Sequence, residues 1–383
     1  MSAKSSSLAD RIVAVDLARA LALFGMFAAH LITPVDAGGP GGVDLTFQVV
    51  AGRSSALFAV LAGVGIALST RRAEQDPRAH RTRLVVRALL IALLGLWLGH
   101  FNSGLAVILT FYGLLFACAL PVLTWRARPL ALLAVAWGVL SPVVSLLMRR
   151  ELSPSPKIVP SFLSLAEPVT LLQELFVTGY YPVLTWATYL FAGMAIGRVD
   201  LRRSLTGPRL ALAGAWATAL TLAVSSWVSS MPSARSALLA DPHSPAGSWA
   251  ALTTQLRRGL HGTHPEHSWW WLGVWSPHSG SIVDLAHTVG TSMLVLGLAL
   301  WVVRLVPAAP WRILAGAGAM TLTLYTVHVL VVASPLGLRG GTMLLVHSLA
   351  AAGIGAMFAA IPARGPLEAA VRAATLLVPL GRR

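Results

Sequence analysis

Apolar residues dominate this chain in long runs, separated by short segments where arginine, proline and glycine collect. Ten runs can be marked, over 12–33, 48–70, 84–101, 104–123, 129–148, 180–197, 210–230, 284–306, 313–334 and 341–362. At about 1.5 Å per residue each is long enough to cross roughly 30 Å of hydrocarbon, allowing for tilt and thin edges. A segment in lipid has no water to satisfy its peptide groups, so each run is expected to be helical. The pattern therefore predicts an all-α fold, a polytopic membrane helical bundle of about 10 transmembrane helices forming one membrane domain over 1–383. The first run continues past Met26 to Leu31 without a small-residue cleavage pattern, and reads as a retained first helix.

Composition agrees with the pattern. The chain is 56% hydrophobic and 11% charged, with a mean hydropathy of +0.73, whereas a soluble domain carries about a quarter charged residues. The net charge of +15 does not point to nucleic acid, because the arginines sit in short loops between apolar runs rather than along one face. Their distribution sets an orientation instead. With the N-terminus inside, the inner side receives Lys4, Arg11, the run Arg71 to Arg87, Arg126, Arg128, Arg198 to Arg209, Arg304, Arg312 and the tail from Arg364, which is 20 of the 29 basic residues. Seven fall outside: Arg149, Arg150, Lys157, Arg235, Arg257, Arg258 and Arg339. The expectation is a multi-pass cell-membrane protein with both termini cytoplasmic and an even helix count. The single cysteine, Cys118, lies within an apolar run, so neither a disulfide framework nor a cysteine-based metal site is available.

Two extracytoplasmic loops are longer than simple connections. Residues 149–179 combine four prolines with an apolar stretch from Leu171 to Phe176, which suggests an interfacial or re-entrant piece. Residues 231–283 carry Trp249, Trp269, Trp270, Trp271 and Trp275. These tryptophans read either as an aromatic belt at headgroup level or as part of a cap over a binding cavity. The stretch 365–383 is moderately apolar with Arg372, Arg382 and Arg383, and reads as a helix lying on the inner face.

Ionisable residues inside spans are costly and are functional candidates by default. The first run offers Asp16, Arg19 and His30. Asp16 and Arg19 are three apart and can pair on one helix face, an arrangement that also serves simply to set helix depth. Arg19 and His30 are eleven steps of about 100° apart, which returns them to nearly the same face roughly 16 Å along the axis. A guanidinium suits a phosphate-bearing ligand arriving from the inner side, and an imidazole is the usual general base near neutral pH. His328 falls at a similar outer depth in the ninth run, either bonding a neighbouring helix or belonging to a site, with Tyr325 three residues away on its face. Arg53 either snorkels outward or anchors an anionic group.

Ten of the eleven histidines fall on or near the outer side. His261-Gly-Thr-His264-Pro-Glu-His267, with His278 downstream, has enough imidazoles for a metal. Its spacing matches no closed zinc pattern, so a solvated or cavity-lining loop is the reading and no metal is expected. His278, Ser279 and Asp284 lie where the chain re-enters the bundle, without the nucleophile elbow of a serine hydrolase. The glycines of "AGVGIAL" and "AGAGAM" are assigned to close helix packing. With 14 acidic residues in all, paired-carboxylate chemistry is poorly supplied.

The stretch from Arg19 to His30 resembles the arginine–ten residues–histidine signature of membrane acyltransferases. The wider pattern "VDLARALALFGMFAAHL", followed by "GRSSALFAVLAGVGIAL", is similar to the heparan-α-glucosaminide N-acetyltransferase-like group and its YeiB-like bacterial relatives. "VILTFYGLLF", "GYYPVLTWATYLFAGMAIGR", "PHSGS", "GAMTLTLYTVHVL" and "RGPLEAAVR" follow in matching order, so the resemblance covers most of the chain. It implies transfer of an acyl group, acetyl first among them, from cytosolic acetyl-CoA or another acyl-CoA to a hydroxyl or amine of an envelope glycan or other polyol. Carried over, His30 is then the catalytic histidine, a general base, and Arg19 its companion on the acyl-CoA side; read from the residues alone, His328 joins the catalytic candidates, Asp16 and Arg53 the acyl-CoA candidates, and Tyr325, His278 and Ser279 the acceptor candidates. The separation of Arg19 and His30 matches the reach of a pantetheine arm. Membrane lipid is the remaining expected partner and nucleic acid is not one; the oligomeric state is open, a homodimer being one option. The competing reading is a transporter or flippase of a small amphiphile, which the lack of a clear internal repeat disfavours.

Overall fold

The computed structural model describes residues 12–34, 43–71, 76–244, 246–306, 309–335, 339–360 and 364–378. Lys4, Arg11, Arg72, Arg382 and Arg383 of the expected inner basic set lie outside them. The described residues fold into helices α1 (Val13–Leu31), α2 (Leu45–Val50), α3 (Arg53–Ser69), α4 (Pro77–Leu98), α5 (Leu109–Cys118), α6 (Ala127–Glu151), α7 (Pro168–Gln173), α8 (Val183–Arg198), α9 (Thr206–Ser230), α10 (Pro232–Ala240), α11 (Trp249–Arg258), α12 (Ile282–Leu305), α13 (Ala309–Gly318), α14 (Thr321–Ala333), α15 (Gly341–Ala360) and α16 (Pro366–Leu376), with no strand among them.

Among the described residues, six helical stretches are long and apolar enough to cross a membrane: α1, α2 with α3, α6, α9, α12 and α15. The other four expected spans are helical but shorter, interrupted or charged. α4 carries Arg78, Arg81, Arg83 and Arg87 in its first turns. α5 has only 10 residues, because the chain from Gly99 to Val107 is irregular. α8 has 16. The ninth run breaks after Gly318 into α13 and α14. A hydropathy window cannot see such a break, since its residues are as apolar as their neighbours.

α1 is the hub, packed against α2, α3, α12, α13, α14 and α15. Without water between helices, dispersion and close backbone approach must supply the association, and small residues provide it. A Cβ on Gly193 of α8 would strike the carbonyl of Val60 on α3, and one on Gly214 of α9 would strike the backbone of Gly290 and Leu294 on α12. Gly52 separates α2 from α3 at φ 72°; a Cβ there would also come within 3.2 Å of Pro277, so this glycine both turns the chain and seats the 277–278 loop.

The 231–283 loop is a folded unit with its own small core of Val228, Ala234, Leu238, Leu252, Leu256, Trp271 and Val274. Trp271 is buried and its Nε1 donates to Asp241 at 2.8 Å, while Trp269 is half exposed. The tryptophans thus divide between the core of this unit and its surface. In the 149–179 loop, Glu174 is fully buried and accepts from Thr178 Oγ1 at 2.8 Å and from Ser155 Oγ. Leu163 and Val169 of the same loop are strongly exposed.

Candidate functional site

A cavity of about 370 Å³ lies where the end of α1 and the start of α3 meet the two long loops. His30, Met26, Ser54 and Ser55 line it from the helices, Tyr325 from α14, and Tyr180, Tyr181, Arg258, His261, His278 and Arg339 from loops and helix ends. Its volume is at the low end of the range for small-molecule sites. It suits a small polar molecule or the end of a longer one.

His30 is half-buried on the cavity wall. Its Nδ1 lies 3.0 Å from Nε2 of His328, which is buried on α14. The two rings are nearly parallel at 13°. His328 Nδ1 in turn lies 2.9 Å from Nδ1 of His347 on α15. Phe27, one turn before His30, packs on His328 with ring centroids 4.4 Å apart and holds the middle imidazole in place. Three imidazoles from three helices therefore form one hydrogen-bonded chain ending at the cavity. Each link needs one nitrogen to donate and the other to accept. If His30 Nε2 accepts a proton from a ligand, its Nδ1 must donate to His328. His328 must then donate to His347, and the protons are ordered along the whole chain. Arg339 Nη1 donates to the His30 carbonyl at 2.9 Å and fixes the end of α1.

The 231–283 loop pairs with itself beside the site. Leu260 N donates to Pro277 O at 3.0 Å, Gly262 N to His278 O at 2.6 Å and His264 N to Ser279 O at 2.9 Å. His261 and His278 are thereby held together at the wall, both at positive φ, 50° and 57°. His278 lies between Tyr181 and Trp186, with ring centroids at 5.8 and 6.3 Å. Burial first, then the nearby imidazoles of His261 and His30, push its pKa down to about 3, so it is neutral at physiological pH. His261 is lowered too, by burial and by Lys157.

Several expected site residues lie elsewhere. Ser279 is buried, its Oγ donating to Ser281 Oγ at 3.2 Å and accepting from Ser281 N at 3.3 Å. It shapes the turn into α12 and is not on the cavity wall. Asp284 accepts from Gly280 N at 3.0 Å in the same turn, while His278 faces aromatic rings, so the three form no nucleophilic triad. Arg53 neither snorkels nor lines the cavity. Its Nε donates to His287 Nε2 at 3.1 Å, its Nη1 donates to Gln48 O at 2.6 Å, and its guanidinium lies over Trp275. It fastens α3 to α12 and the loop. Asp16 and Arg19 do pair at 3.2 Å, with Arg87 and Glu368 in electrostatic range of this end of the bundle. Arg19 is not on the wall of the His30 cavity, and between the two residues α1 buries Ala22 and Leu23 completely. His347, Arg258 and Arg339 were not singled out from sequence. For His347 the signal was present, a lone imidazole in an apolar run.

The fold and the site together define a helical membrane protein with a hydrogen-bonded chain of three imidazoles that ends at a cavity. A family model described as heparan-alpha-glucosaminide N-acetyltransferase, catalytic, matches residues 11–227. That is more than half of the chain, which belongs to this family of membrane acetyltransferase type. No curated protein matches the chain. The matched segment contains Arg19 and His30 but ends before His328 and His347, so the imidazole chain is a finding of the structure alone.

Proposed function

We propose that the protein transfers an acetyl group from acetyl-CoA to a hydroxyl or amine of an envelope sugar or related polyol, with His30 as general base. The observation that carries this reading is the His30 ring on the cavity wall with its Nδ1 engaged by His328, which leaves Nε2 to meet a ligand. The acceptor O–H or N–H gives its proton to Nε2 as the new carbonyl carbon–oxygen or carbon–nitrogen bond forms. The thioester C–S bond then breaks, and the CoA sulfur leaves with the proton returned by His30. Spreading the transient positive charge along His30, His328 and His347 lowers its cost inside the bundle. Tyr325 and His278 present a hydroxyl and a neutral imidazole to the acceptor. Arg19 with Arg87 would meet the donor's phosphates at the inner end of α1, and the acyl end would then reach His30 through a rearrangement of the packed stretch around Leu23. In this reading both termini lie on the inner side and the cavity faces outward.

Purified protein given acetyl-CoA and a panel of amino sugars and polyols should release free CoA thiol in an acceptor-dependent way. Replacing His30 by alanine should lower that rate by about 10²–10⁴-fold, the usual share of a general base. An unchanged rate in His30→Ala rules the base out.

A further inference from the structure

Outside the cavity, four side chains converge on the folded outer loop. Asp241 follows α10, His243 lies two residues on, and Glu266 and His267 return from beyond α11. His243 Nδ1 is 2.6 Å from Glu266 Oε1. His267 Nδ1 is 3.7 Å from both Glu266 Oε1 and Asp241 Oδ1. One ligand atom each from Asp241, His243 and His267 lies within 4.8 Å of the others, and the two imidazole rings are 5.0 Å apart.

The second oxygen of each carboxylate is held from behind. Asp241, wholly buried in its side chain, has Oδ2 accepting from His267 N at 3.1 Å, Ser268 N at 3.2 Å and Trp271 Nε1 at 2.8 Å. Its Oδ1 accepts from His243 N at 3.0 Å and turns toward the imidazoles. Glu266 has Oε2 paired with Arg149 at 3.2 Å, leaving Oε1 between the two histidines. A surface ion pair needs no such anchoring. Outer contacts that fix one oxygen of a carboxylate and aim the other are the usual support of a metal ligand.

We propose that Asp241, His243, Glu266 and His267 form a binding site for a divalent transition metal of the zinc class. Two imidazole nitrogens with two carboxylate oxygens suit zinc, whereas calcium and magnesium take oxygen alone and cuprous copper takes sulfur. Ligand atoms around a tetrahedral zinc with bonds of about 2.0–2.2 Å stand roughly 3.3–3.6 Å apart. The present separations fall on both sides of that spacing, so small rotations of the two part-exposed imidazoles complete the site. Binding replaces the hydrogen bond between His243 Nδ1 and Glu266, the imidazole keeping its proton on Nε2. The metal would clamp the ends of the segment that presents His261 to the cavity, and through Arg149 would tie the loop to α6.

The test uses full-length protein in detergent, prepared without a histidine tag and stripped with chelator. Titration with Zn²⁺ should show one equivalent bound at micromolar concentration or tighter. Co²⁺ should give the visible absorption of a four-coordinate nitrogen–oxygen site. The double variant His243→Ala, His267→Ala should lose both signals, whereas His261→Ala should keep them. Should the double variant fold poorly, His243→Gln alone, at a half-exposed position, should weaken binding by at least about tenfold with the metal-free melting unchanged. Absence of stoichiometric binding, or binding unaltered in either variant, overturns the proposal. Acetyl transfer is read separately, so neither outcome bears on the His30 mechanism.

Discussion

Glu368 offers a sharp test of how the site is held. α14 begins after the break at Met320 with no side-chain cap of its own. The first amides of a helix have no intrahelical acceptor, and here the acceptor comes from a different helix. Glu368, in the first turn of α16, takes Leu322 N at 2.7 Å and Thr323 N at 3.2 Å on Oε1, and the Thr323 hydroxyl at 2.6 Å on Oε2. Thr323 Oγ1 returns the favour by accepting from Leu367 N at 3.1 Å. The two helix starts cap each other. Removing the carboxylate orphans two amides: an N-cap is worth about 0.5–2 kcal/mol, and each bond to a charged group about 1.5–3 kcal/mol. Since bonds sharing one carboxylate are not additive, Glu368→Ala should cost about 2–4 kcal/mol. Glu368→Gln keeps an oxygen for both amides and should cost about 1 kcal/mol or less. Unfolding of both variants in one detergent, alongside their acetyl-transfer rate, decides the matter. Tyr325 and His328 lie one and two turns into α14, so Glu368→Ala should lose activity while still folded. An alanine variant as stable as the parent, or a glutamine variant as damaged as alanine, refutes the capping argument.

Replacing His347 by phenylalanine removes the end of the imidazole chain while leaving His30 in place; it should lower the transfer rate about tenfold and alter its pH profile, with KM little changed, and an unaltered profile would remove His347 from the mechanism. Gly193→Val forces a side chain onto the Val60 carbonyl and should destabilise by about 2 kcal/mol or more, measured as reduced detergent stability. Acid sensitivity should come from His264, whose pKa burial and Arg149 lower from 6.5 to about 3. The unfolded chain takes the proton first, so this contribution is fully present above pH 6.5 and is lost as pH falls from 6.5 toward 3. The loss is about 2 kcal/mol by pH 5. His264→Gln should flatten stability between pH 7 and 5, and an unchanged slope would assign the effect elsewhere.

The sequence by itself determined that this is an all-helical membrane chain, because the length and apolarity of a run decide whether it can pay for leaving water. It also determined the Asp16–Arg19 pair, since three-residue spacing on a helix brings side chains together whatever lies around them. It marked His30 and His328 as costly residues in apolar runs. Tertiary structure decided the rest. That His30, His328 and His347 form one chain depends on how α1, α14 and α15 rotate against each other, a matter of small-residue packing between segments far apart in sequence. The same holds for Arg53, turned to His287 and away from the cavity, and for Ser279, drawn into the turn before α12. His243 and His267 meet two carboxylates only because the outer loop has a core of its own. Local spacing predicts which residues share a helix face. The partner each face meets is set by packing between helices, to which residues distant in sequence contribute together.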